Sequence, residues 1–164
     1  MFKYSQIESA IAAVHRIAAD AMDTFRGRVK NFQRIGIVPS SPGKGQRIKY
    51  TVDDAIRWAI CFEFAEVGIP PAEIKSLLRV CGWHLFRSFK GPIQDEDQIF
   101  YLRGEFLQWH LNRETGDLVG RATFGVVPVS RLGDVINSDL TRLILINLTL
   151  LKRELGNELD IEWA

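Results

Sequence analysis

The residues whose types suit catalysis or metal binding are few and widely separated. His15, His84 and His110 fall on different segments, and neither Cys61 nor Cys81 stands at a metal-ligand spacing from any of them. Asp95-Glu96-Asp97 is a run of adjacent acids close to Gly91-Pro92, the pattern of a solvated loop. No Ser/His/Asp or Cys/His arrangement offers an activated nucleophile, so the sequence points to a protein that is not an enzyme. Lys44 sits in Gly43-Lys44-Gly45 without the rest of a phosphate-binding loop, so neither a nucleotide nor another cofactor is expected. Both cysteines lie in apolar stretches and are read as buried free thiols, consistent with a reducing cytoplasm. Trp83, Trp109 and Trp163 are expected in the core rather than as ligand platforms.

The chemistry the chain does concentrate is positive charge. The formal net charge is only +1, yet residues 1–60 carry ten Lys/Arg against five Asp/Glu, and residues 61–164 carry eleven against fifteen. Between residues 26 and 49 there are seven cations, Arg26, Arg28, Lys30, Arg34, Lys44, Arg47 and Lys49, and no acid. One basic end on a nearly neutral protein implies a polyanionic partner. Long donors on a helix can reach base edges in a DNA major groove, where Arg suits guanine and Asn31 would suit adenine. Cations on a projecting wing can hold phosphate.

The elements that must position these groups follow from periodicity. Ile7, Ile11, Val14, Ala18, Ala21, Phe25, Val29 and Phe32 recur at spacings of three or four, a helical pattern that Ser5 and Glu8 would open as a capping box. Residues 18–21 admit either one long helix or a tight turn between two. The pattern stops at Gly36, and residues 38–45 are dense in turn formers, so a wing is expected there, with residues 46–50 as a short strand. Thr51 with Asp53 and Asp54 opens a helix ending at Gly68, and Pro70-Pro71 opens a short one over residues 72–78.

Three stretches in this order resemble the MerR family of bacterial transcription regulators over about residues 5–80. They are Phe32-Gln33-Arg34-Ile35-Gly36-Ile37-Val38-Pro39, then Gly45-Gln46-Arg47-Ile48-Lys49-Tyr50-Thr51-Val52-Asp53-Asp54, then Glu66-Val67-Gly68-Ile69-Pro70-Pro71-Ala72-Glu73-Ile74. The resemblance implies a winged helix-turn-helix with a DNA-binding set of Arg26, Arg28, Lys30, Asn31, Arg34, Lys44, Arg47, Lys49 and Tyr50. The wing carries one extra residue between Arg47 and Tyr50, and no glycine marks the turn between the first two helices. The long helix that follows the second wing helix in family dimers has no counterpart directly after residue 80.

The fold class expected is therefore mainly α (α+β): a winged helix-turn-helix over residues 1–80, then a smaller α+β domain over residues 95–164. In that second part residues 99–111 and 121–129 read as the strands of a hairpin. Residues 139–155 read as a long apolar helix, whose row Leu140, Ile144, Asn147 and Leu151 suggests a homodimer seam. The functional expectation is a cytoplasmic, nucleoid-associated regulator binding double-stranded DNA as a dimer, with activation of a phage-like or gene-transfer-agent gene cluster as its narrower form. RNA polymerase or a second regulator would be its protein partner, and no membrane is involved. Two alternatives are an excisionase-like architectural DNA binder and a winged-helix adaptor between proteins.

Overall fold

A computed structural model of the chain describes residues 1–39, 48–103, 124–136 and 142–163. It is mainly helical, with one small antiparallel sheet, and no helix among the described residues is long and apolar enough to cross a membrane.

The chain opens with α1 (Tyr4–Val14) and α2 (Met22–Arg34), separated by a turn that contains a single 3-10 turn, Ala19–Ala21. The break at residues 15–21 settles the choice periodicity leaves open in favour of two helices. The turn uses no glycine: Arg16 takes the left-handed conformation itself, at φ 51°. The capping box lies two residues earlier than expected, since the Lys3 backbone N–H donates to the Gln6 side chain at 2.9 Å. Glu8 is thereby free for a different partner. Gly36 ends the α2 segment at φ 72°, a backbone region that favours glycine.

Helix α3 (Val52–Glu66) begins where Thr51 predicts. The Thr51 hydroxyl accepts from the Asp54 N–H at 3.2 Å, and the Thr51 N–H donates back to the Asp54 carboxylate at 2.8 Å. Helix α4 (Pro71–Ser88) starts at the expected proline but runs ten residues beyond the expected stop at 78, because Leu77, Leu78, Cys81, Leu85 and Phe89 keep supplying a buried stripe.

The sheet has the order β2-β1-β3, built from β1 (Gln98–Arg103), β2 (Phe124–Pro128) and β3 (Leu143–Asn147). β1 pairs antiparallel with both neighbours, with Phe100 opposite Val126 on one side and Ile146 on the other. The β1 and β2 pairing agrees with the hairpin expectation; its connecting residues 104–123 lie outside the described residues. A short helix α5 (Leu132–Val135) follows β2.

The described part of the long helix expected over residues 139–155 is instead β3 followed by a helix, α6 (Leu148–Leu159). A short unbroken apolar run suits a buried helix or a buried strand equally well, and here pairing with β1 decides for the strand. Asn147 makes the switch. Its side-chain oxygen accepts from the Leu150 N–H at 2.9 Å and so caps α6, while its Nδ2 donates to Asp97 at 2.7 Å. The supposed seam is consequently not a helix row. Ile144 and Asn147 belong to β3, Leu151 faces the core at 4% exposure, and Leu140 lies outside the described residues.

One core runs through these elements. Trp58, Phe62 and Phe64 on α3 are fully buried, and the same cluster takes in Ile7 and Ile11 of α1, Phe100 of β1 and Leu151 and Leu155 of α6. Helix α6 packs on α1 and α3, so the last element in the chain helps support the first. Cys61 and Cys81 are buried and free, as expected, and burial pushes both thiols up to about 12. Trp83 departs from the core expectation and is 63% exposed, with the Arg87 guanidinium 5.0 Å from its ring centre. Trp163 is half-buried over Gly156, and Trp109 lies outside the described residues.

Candidate nucleic-acid interface

Helix α2 is amphipathic, and each face has a distinct task. Phe25, Val29 and Phe32, at spacings of four and three, are buried. Phe25 and Phe32 bracket Phe62 of α3, with ring centroids 4.9 and 5.3 Å away, which fixes the roll of α2 about its own axis. The opposite row is Asp23, Gly27, Lys30 and Arg34, at spacings of four, three and four, and all four residues are exposed. Fixing the inner face therefore fixes the outward direction of Lys30 and Arg34.

The C-terminal end of α2 is held. Lys75 on α4 donates its ammonium to the Ile35 carbonyl at 2.7 Å, satisfying an end group and placing a cation at the negative end of the helix dipole. Gln33 reaches the Pro39 carbonyl and the Tyr50 hydroxyl, each at 3.4 Å, linking the helix end to the segment beyond it. Phe2 and Tyr50 exchange two backbone hydrogen bonds of 2.8 Å, tying the N-terminus to the residue before the α3 cap.

The expected DNA-binding residues fall into three groups. Lys30 and Arg34 share the outer row, and the Arg34 guanidinium donates to the half-buried Asn31 side chain at 3.0 Å. Arg26 and Arg28 lie on opposite flanks, each held by a carboxylate from another helix: Arg26 by Glu8 of α1 at 2.9 Å, Arg28 by Glu66 of α3 at 2.6 Å. Arg26 also has Asp23 at 3.7 Å. Both arginines remain about half exposed, so these are surface pairs of modest strength that orient a guanidinium more than they remove it. The third group is Lys49, which is exposed, together with Lys44 and Arg47, which lie outside the described residues along with most of the expected wing.

Tyr50 is corrected from DNA contact to core. It is 1% exposed and packs edge-on against Trp58, with centroids 6.3 Å apart, and burial is the main cause that raises its phenol pKa. An aromatic next to a wing looks the same in sequence whether it faces outward or inward. Glu8 and Glu66 are the residues that the sequence reading missed; they lie 18 and 38 positions from their arginines, too far for any local pattern to pair them.

The acidic run at 95–97 is more than a solvated loop. Glu96 accepts from the Ser130 N–H at 2.6 Å, and its pKa is lowered first by the Ser130 hydroxyl and then by this N–H, while Asp97 holds Asn147. These carboxylates pin one end of the sheet, where β1 begins and β2 and β3 finish. Among the described residues no group of three or more His, Cys, Asp or Glu is placed to hold a metal ion. No protein-family model matches the sequence, and no curated protein is significantly similar to it.

Proposed function

We propose that this chain is a sequence-specific regulator of transcription that binds double-stranded DNA with the outer face of α2, in a winged helix-turn-helix formed by the first 80 residues. The observation that carries this reading is the outer face itself. An exposed helix presents Lys30 and Arg34 outward, with Arg26 and Arg28 splayed to either side, on a scaffold of α1, α3 and α4 that fixes its direction. A helix about 10–12 Å across with its side chains fits the width of a B-DNA major groove. In this reading Lys30, Asn31 and Arg34 face bases, while Arg26, Arg28 and Lys49 hold phosphates on either side. Lys44 and Arg47 in the wing extend that phosphate grip.

The same proposal includes a cytoplasmic homodimer, since two copies reading two half-sites gain specificity that one short helix lacks. The resemblance to MerR regulators supports the first half of the chain alone, so the second half is assigned to assembly or to contact with polymerase or a second regulator.

The test is selection of bound fragments from sheared genomic DNA, followed by anisotropy titration of the enriched duplex. Lys30→Ala and Arg34→Ala are expected to erase the preference for the enriched duplex over a random one, whereas Lys49→Ala weakens both equally. Equal losses on both duplexes for all three variants would show that α2 reads no bases.

A further inference from the structure

Gly27 occupies the middle of the outer row of α2, and nothing inside the protein accounts for a glycine there. Its φ is not in the left-handed region, which among the described glycines holds only Gly36, Gly68 and Gly91. A Cβ added at Gly27 would meet no other atom within 4 Å, so no neighbour requires the space. Glycine in a helix interior is the least favourable ordinary choice after proline, because it leaves backbone freedom to be lost on folding. An exposed mid-helix position is where alanine, lysine or glutamine would strengthen the helix without disturbing anything.

The surroundings give the missing side chain a purpose. Arg26 and Arg28, the residues on either side of Gly27, are drawn apart by Glu8 and Glu66. Lys30 follows on the same row, exposed and with no ion pair among the described residues, and Arg34 continues it. The result is a single bare position of helix backbone, at Gly27, with four cations around it. Asp23 is the acid on this row, and it faces Arg26 at 3.7 Å.

We propose that Gly27 is the point of closest approach between α2 and duplex DNA, and that the absent side chain lets the helix backbone settle against the DNA while the flanking arginines engage phosphates. The inference rests on the DNA-binding reading above and adds to it a steric determinant that charge alone does not supply. It predicts a conflict between stability and binding at one position, which a purely structural glycine would not show.

Gly27→Ala and Gly27→Leu test it, each compared with wild type and with Lys30→Ala. Thermal unfolding followed by circular dichroism should show Gly27→Ala melting roughly 1–4 °C above wild type, since the change strengthens the helix and meets open space. Anisotropy titration on the duplex enriched by the wild-type protein should show weaker binding in order of size, with Gly27→Leu losing about tenfold or more. A stabilised Gly27→Ala together with a Gly27→Leu that both bind like wild type, while Lys30→Ala weakens binding, would overturn the proposal and leave the α2 reading standing. Wild-type binding that none of the three substitutions changes, or no duplex binding by the wild type, would overturn the α2 reading and this inference with it.

Discussion

His15 shows how one buried side chain sets a pH limit on the fold. Its Nδ1 lies 3.6 Å from Glu63 and its side chain is 4% exposed, yet desolvation outweighs the attraction of Glu66 and a backbone hydrogen bond at Ala59 and lowers its pKa to about 4. The contact is thus one between a neutral imidazole and a carboxylate rather than a charged pair. Because the unfolded imidazole titrates near 6.5, the unfolded chain binds more protons than the folded one between pH 6.5 and 4. Stability should therefore fall as the pH drops through that window, by at most about 3 kcal/mol. Glu63 works in the opposite sense: burial first, then Glu154 and Glu66, raise its pKa, so the folded state takes up that proton earlier and offsets part of the loss. Urea titrations at pH 7 and pH 4.5 should show a smaller difference for His15→Leu than for wild type. An equal difference in the two proteins would remove His15 as the cause.

At the scale of elements, Asn147 carries the correction to the C-terminal region, since one side chain ends β3, caps α6 and holds Asp97. Asn147→Ala should cost about 1–2 kcal/mol for the cap, plus whatever Asp97 loses, measured by chemical denaturation. Leu151→Glu should unfold the chain outright, because Leu151 is a core residue of α6 rather than part of a dimer seam. A folded Leu151→Glu protein that sediments as a smaller species than wild type would restore the seam. Much of the first half was legible in sequence because its signals are local: Thr51 with Asp54, Gly36, Gly68 and Pro71 mark boundaries through the backbone chemistry of their own neighbourhoods. The 143–147 strand was not, because an apolar run of that length has no distinctive period and its partner, β1, is forty or more residues away. Asn147 was itself a readable cap signal, masked by the apolar residues on both sides. Within the candidate interface, the cations of α2 were legible as a set, but their division into an outer row and two tethered flanks depends on Phe62, Glu8 and Glu66, which only the packed structure brings to α2.

Across the whole molecule, the C-terminal helix buttresses the N-terminal one: α6 lays Leu148, Leu151, Leu155 and Leu159 against the core shared with α1 and α3. Lys152, 3% exposed, seals the end of that face by donating to the Gly91 carbonyl at 2.6 Å and lying 5.0 Å from the Trp163 ring centre. The α2 surface thus depends on both halves of the chain, and truncation after residue 80 is expected to destabilise the proposed DNA-binding face rather than release an independent module. The proposed contact between α2 and duplex DNA is electrostatic as well as steric. It is tested most directly by the affinity of the full chain for duplex DNA as a function of salt, for wild type and for Lys30→Ala. For wild type a linear fall of log affinity with log salt concentration is expected, and for Lys30→Ala a slope reduced by about one if Lys30 also neutralises a phosphate, or an unchanged slope with lost duplex preference if it reads only bases. A duplex affinity that does not change with salt, or no measurable duplex binding even at low ionic strength, would contradict it.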